Sequence, residues 1–106
     1  MRDMPMRRLT ITDEELLLIA SAFKAMGDPS RLRILRVLMV HDLCVGELAQ
    51  RTGLSHANTS KHLAHLRSVR LVAFVRVGNS KRFSLCNNVV PQLCAMLGRA
   101  MDPDDR

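Results

Sequence analysis

The chain has 106 residues, 47% of them apolar and only 3% aromatic, and it carries a formal charge of +6. That length supports one domain, residues 1–106, with a modest core that should be aliphatic and methionine-rich. It leaves no room for a membrane span, because no apolar run is long enough, and Met1-Arg-Asp-Met4 lacks the apolar centre of a targeting sequence.

Residues 1–10, with Arg2, Arg7 and Arg8, read as a flexible arm. Thr12 followed by Glu15 is a capping box, and it predicts a helix running to about Met26. Leu16, Ile19, Ala20, Phe23 and Met26 form its apolar stripe, and Leu17 and Leu18 widen that stripe. The excess suggests a dimer contact, with burial inside one subunit as the alternative. Gly27 ends this helix, and Asp28-Pro29 supplies the cap and first residue of the next. Leu32, Ile34, Leu35, Leu38 and Met39 are its expected core, and Arg31, on the other side, has the reach for a phosphate.

His41-Asp42 makes a short break. From Glu47 to Leu71 the pattern is helix, Thr52-Gly53 turn, then a second helix capped by Ser55. Leu63, Leu66 and Val69 recur at helical spacing and should face inward. His56, Asn58, Ser60, Lys61 and Arg67 occupy the opposite face, with donors suited to phosphates and base edges. This is the helix-turn-helix pattern. Leu71–Val77, rich in β-branched residues, then reads as a strand, Gly78-Asn79-Ser80 as a turn and Lys81–Leu85 as the returning strand. The hairpin makes the fold a winged helix-turn-helix: mainly α, about five helices, with a two-stranded antiparallel wing. Arg76, Asn79, Lys81 and Arg82 belong to the wing tip. Asn87-Asn88 breaks the strand, and a last helix runs from about Val89 to Met101 with Pro91 in its first turn. Val90, Leu93, Cys94, Leu97 and Met101 form one stripe along it, and residues 102–106 read as a flexible tail.

The charge is unevenly placed. Between Leu48 and Met101 there is no Asp or Glu, yet Arg51, Lys61, Arg67, Arg70, Arg76, Lys81, Arg82 and Arg99 lie there. An acid-free basic half that coincides with a helix-turn-helix is the footprint of a nucleic-acid binder. No Ser/His/Asp set, phosphate loop or paired carboxylates point to an enzyme. The three cysteines, Cys44, Cys86 and Cys94, contain no CxxC and fit a reducing cytoplasm. Cys44 sits at a helix N-terminus, a position that favours reactivity. Cys94 lies on an apolar stripe, in the core or at a subunit interface.

Four segments, taken together, resemble the ArsR/SmtB family of bacterial metal- and stress-sensing repressors. They are Phe23–Leu35 (FKAMGDPSRLRIL), Asp42–Ala49 (DLCVGELA), Leu54–Leu63 (LSHANTSKHL), and Gly78 with Phe83-Ser-Leu85. The resemblance covers roughly residues 15–100. It implies a homodimer built from the first and last helices, a palindromic double-stranded operator, and release from DNA when an inducer binds. The family's last-helix zinc site uses Asp and His, and none stands here between Cys86 and Asp102. Its other metal site uses a cysteine matched by Cys44, with Glu47 at a carboxylate position. Gly46 replaces a second cysteine, and residues 1–40 contain neither Cys nor His. Sulfur-sensing relatives pair a second-helix cysteine with a last-helix one, and Arg36 stands at the former position. No cofactor is therefore required and no zinc site is expected. The expected signal acts through Cys44, Cys86 and Cys94: a soft ion such as As(III), taken by Cys86 and Cys94 together with Cys44 or a cysteine of a partner chain, or an oxidant. The rival readings are a DNA-binding regulator without a ligand, and a winged helix that binds an acidic protein.

Overall fold

The computed structural model describes residues 10–104, so all of the predicted arm except Thr10 lies outside the described residues. Five helices and one hairpin follow in the expected order: α1 (Asp13–Met26), α2 (Pro29–Leu38), α3 (Val45–Thr52), α4 (His56–Ser68), β1 (Val72–Val77), β2 (Ser80–Leu85) and α5 (Val89–Met101). Among the described residues, no helix is long and apolar enough to cross a membrane.

Local signals set most of the boundaries. The Glu15 side chain accepts from the Thr12 backbone N–H at 3.0 Å, and the Thr12 hydroxyl accepts from Glu15 at 3.1 Å. The Thr12 N–H, and after it the Thr12 hydroxyl, hold the Glu15 carboxyl below its usual pKa. Asp28 caps α2 by accepting from the Arg31 N–H at 2.9 Å, with Pro29 supplying the preset φ of a first helical turn. Cys44 caps α3, and its N–H donates to Glu47 at 3.1 Å.

The core gathers around α2, α3 and α4. Ile34, Leu35 and Leu38 from α2 meet Leu48 from α3 and Leu63 and Leu66 from α4, closed by Val72, Phe83 and Val90. It is aliphatic, as expected, but not methionine-rich: among the described residues only Met26 is buried, while Met96 and Met101 are exposed. Leu32, expected in the core, lies on the outer side of α2.

The larger departure concerns α1 and α5. Leu16, Leu17, Leu18, Ile19 and Phe23 are all exposed, and only Ala25 and Met26 of α1 are buried. On α5 only Val90 is buried, and the stripe continues outward through exposed Leu97 and Met101. Burial within one subunit, the alternative for the α1 stripe, reaches only Met26 at its end.

Between α4 and β1 the chain closes a Schellman motif that the sequence does not announce. The Leu71 N–H donates to the Leu66 carbonyl and the Arg70 N–H to the Arg67 carbonyl, both at 3.0 Å. The residue at the left-handed position is Arg70, with φ 64°. A Cβ is strained there and glycine is not. Arg70→Gly should therefore stabilise the fold by about 0.5–1 kcal/mol in urea unfolding. A loss of stability would mean that the Arg70 side chain contributes more than its backbone costs.

Candidate nucleic-acid interface

The two helices of the motif are set at an angle by Gly53. Its φ of 75° turns the chain sharply after Thr52, and its N–H donates to the Ala49 carbonyl at 3.0 Å. Leu54 packs against the core, and Ser55 restarts the helix by accepting from the Asn58 N–H at 3.0 Å. Thr59 is fully buried, and its hydroxyl donates to the Ser55 carbonyl at 2.8 Å. A buried polar group needs such a partner, and here the bond also locks the first turn of α4. Thr59, Leu63 and Leu66 face the core, which turns His56, Asn58, Ser60, Lys61 and Arg67 outward. His62 is half-buried. The Arg31 N–H keeps the Asp28 carboxyl below its usual pKa, with the charges of Arg31 and His62 adding to the effect.

The wing stands beside α4. β1 and β2 pair antiparallel, with Phe74 opposite Phe83, Val75 opposite Arg82 and Arg76 opposite Lys81. The turn is two residues, Gly78-Asn79, because Ser80 already pairs with Val77. Gly78 has φ 62°, as a glycine in the first central position of a tight hairpin turn requires. Leu43 adds a bridge on the other edge of β2, exchanging hydrogen bonds of 3.2 and 2.9 Å with Phe83. That bridge ties the start of the helix-turn-helix to the wing.

Register decides where the wing's cations point. Side chains alternate across a strand, so Arg76 and Lys81 share the inner face with Phe74 and Phe83, whereas Arg82 shares the outer face with Val75. The Phe74 ring collects two of the cations. The Arg67 guanidinium carbon lies 4.6 Å and the Lys81 Nζ 4.7 Å from its centroid, and Phe83 supports it at 5.3 Å between centroids. Like charges directly opposite, as at Arg76 and Lys81, cost stability unless an anion joins them.

A cleft of about 210 Å³ runs between α4 and the wing, lined by Ser60, Arg67, Phe74 and Lys81. Toward the wing tip a second hollow, about 330 Å³, brings together His56, Asn79, Lys81 and Cys44. The sequence placed Cys44 at a helix start; only the fold puts it between α4 and the wing. Glu47 is joined to Cys44. Its bonds with Cys44 hold its carboxyl below the usual pKa, helped by attraction to Arg82 and Arg51.

One expectation changes. Arg31, predicted to reach a phosphate, instead clasps the end of α1: its Nε donates to the Ala25 carbonyl at 2.6 Å and its Nη2 to Lys24 at 3.5 Å. The carbonyls at a helix C-terminus lack partners and carry partial negative charge, so they hold a guanidinium well. The three thiols, whose convergence the sequence leaves open, lie apart within one chain. Cys44 lies in the wing-tip hollow, Cys86 is exposed after β2, and Cys94 is half-buried along α5. Among the described residues no three His, Cys, Asp or Glu come together to hold a metal ion.

Residues 28–73 match the model of a family described as bacterial regulatory protein, arsR family. The chain is 43% identical over 75 residues, 71% of its length, to the transcriptional repressor SmtB homolog of Synechocystis. It spans only 57% of that curated relative. NolR from Sinorhizobium fredii superposes with a TM-score of 0.76 at 30% identity, over 95% of this chain and 97% of that one. The homodimeric winged helix-turn-helix DNA-binding domain Mb0332 from Mycobacterium bovis gives a TM-score of 0.76 at 26% identity, over 87% of this chain and 88% of the other.

Proposed function

The chain belongs to the ArsR/SmtB family of bacterial regulatory proteins, and from that membership we propose that it is a DNA-binding transcriptional repressor. It acts as a homodimer on palindromic duplex DNA, in a two-state manner: bound until a signal reaches its thiols. The observation that carries the DNA-binding reading is the acid-free set of outward donors on α4 and the wing. His56, Asn58 and Ser60 are the base-reading candidates, and Lys61, Arg67, Arg76, Asn79, Lys81 and Arg82 the phosphate-contact candidates. Two copies of α4 about 34 Å apart would enter successive major grooves.

The test is a salt titration of binding to a duplex selected from a random pool. Lys61→Ala and Arg82→Ala should each weaken binding to any duplex and flatten the log–log salt dependence by about one unit. Unchanged slopes in both variants would remove the two residues from the phosphate contacts. A protein with no preference among duplexes and no steep salt dependence would favour an acidic protein as the partner.

The signal we propose is thiol-directed. Support comes from Cys44, whose place between His56 and Lys81 means that any group added to it intrudes on the DNA-facing cleft. As(III) or a thiol oxidant should lower DNA affinity by roughly 5–150-fold, the usual range of coupling between sites. Zn(II) at low micromolar concentration should do little. A variant with Ser at 44, 86 and 94 should keep DNA binding and lose the response, and Cys44→Ser alone should remove most of it. A response that survives in the triple variant rules the thiols out. If nothing releases the wild type, a regulator governed by its own abundance is the better account.

A further inference from the structure

The groove between α2 and α5 carries chemistry that DNA contact does not use. Leu32, Arg33, Arg36 and Met39 recur at three- and four-residue intervals and line one wall, and Pro91 and Cys94 face them from α5. The space is about 610 Å³, within the range of small-molecule sites. Its walls are carbon and sulfur except for two guanidiniums. No carboxylate lines it, and among the described residues neither the Arg33 nor the Arg36 side chain has a hydrogen-bond or ion-pair partner.

We propose that this groove binds a small amphipathic anion: a carboxylate on an apolar body. The body would cover Leu32, Met39 and Pro91, removing apolar surface from water. The head would take the forked donors of Arg33 and Arg36, whose geometry matches a carboxylate. Both arginines are exposed, so they select the head group and orient it more than they supply affinity. A neutral ligand of the same length would leave that selection unused, and a bare anion would leave the apolar wall wet.

Position gives the site a consequence. α5 is anchored to the body through buried Val90 and the half-buried Leu93 and Cys94, whereas α2 packs directly on α3 and α4. An occupant therefore touches both the helix that carries the exposed seam and the helix beneath the recognition motif. This regulatory half rests on the DNA-binding reading; the binding half does not.

Cys94 supplies the readout. The full-length protein is alkylated with iodoacetamide, and the modification of each cysteine is followed by mass spectrometry. Decanoate, below its micelle-forming concentration, is compared with decanol and decyltrimethylammonium. Decanoate should slow alkylation of Cys94 by about fivefold or more, while leaving Cys44 and Cys86 unchanged, and the other two amphiphiles should protect far less. Arg33→Glu combined with Arg36→Glu should abolish protection by decanoate and create protection by the cation. Equal protection by all three head groups, protection of all three thiols alike, or none at all would overturn the site. So would a Cys94 already unreactive in the ligand-free protein, which would place a second copy of the chain over the groove. If the double variant does not fold, the three head groups on the wild type still decide. In a separate titration decanoate should lower DNA affinity about tenfold. Protection of Cys94 with unchanged DNA affinity overturns the regulatory half, and failure to bind DNA without decanoate defeats the functional reading instead.

Discussion

Leu97→Glu is expected to turn the protein into a monomer and to lower its affinity for a two-half-site duplex by roughly 10²-fold or more, because the second half-site then binds without the benefit of linkage. Leu97 is 54% exposed in one chain, next to Met101 at 77%, and α1 adds Leu17 at 71% and Phe23 at 54%. Apolar side chains so exposed, on two helices, are more than a lone subunit normally leaves to water. The 3.6-residue period of both helices gathers them into stripes, which a second copy of the same stripes would cover. A glutamate placed in that seam would be buried without a partner, and such a charge costs several kcal/mol. Sedimentation at micromolar concentration reads the result. Val75→Glu is the control: Val75 is also exposed, but it lies on the outer face of the wing and should leave the dimer intact. A wild type that sediments as a monomer under the same conditions would sink the idea, because there would be no seam to break.

Leu63→Ala should destabilise the fold by about 2–5 kcal/mol, the range for removing a buried leucine and leaving a cavity. Leu63 is 1% exposed and belongs to the cluster that holds α4 against α2 and α3. For a domain of this size that loss lowers the melting temperature by roughly 10 °C or more. It is a large part of the roughly 5–15 kcal/mol that such domains possess. Lys61, two residues earlier and exposed, gives the contrast. Lys61→Ala should alter stability by no more than about 0.5 kcal/mol while weakening DNA binding. Urea unfolding at one fixed protein concentration makes the comparison, since a dimer's stability depends on concentration. A cost below about 1 kcal/mol at Leu63 would mean that α4 is not anchored as described.

The sequence determined by itself whatever rests on neighbours along the chain. The capping box at Thr12 and Glu15, the Asp28-Pro29 start, Gly53 and Ser55 each place a helix end through bonds spanning three or four residues. The 3.6 period sorted α4 into a core face and a donor face, and a β-branched run followed by turn residues marked the wing. These signals suffice for the helix-turn-helix because its geometry is local. Tertiary structure decided everything that depends on distant segments meeting. Periodicity shows that the α1 stripe is apolar, not whether its own subunit covers it. Composition shows Arg31 as a cation, but the unsatisfied carbonyls at the end of α1 claim its guanidinium. Strand register, and not charge, separates Arg82 from Arg76 and Lys81. The Leu43–Phe83 bridge and the place of Cys44 beside the wing come from the same source: long-range pairing and packing, which act between segments that no local pattern connects.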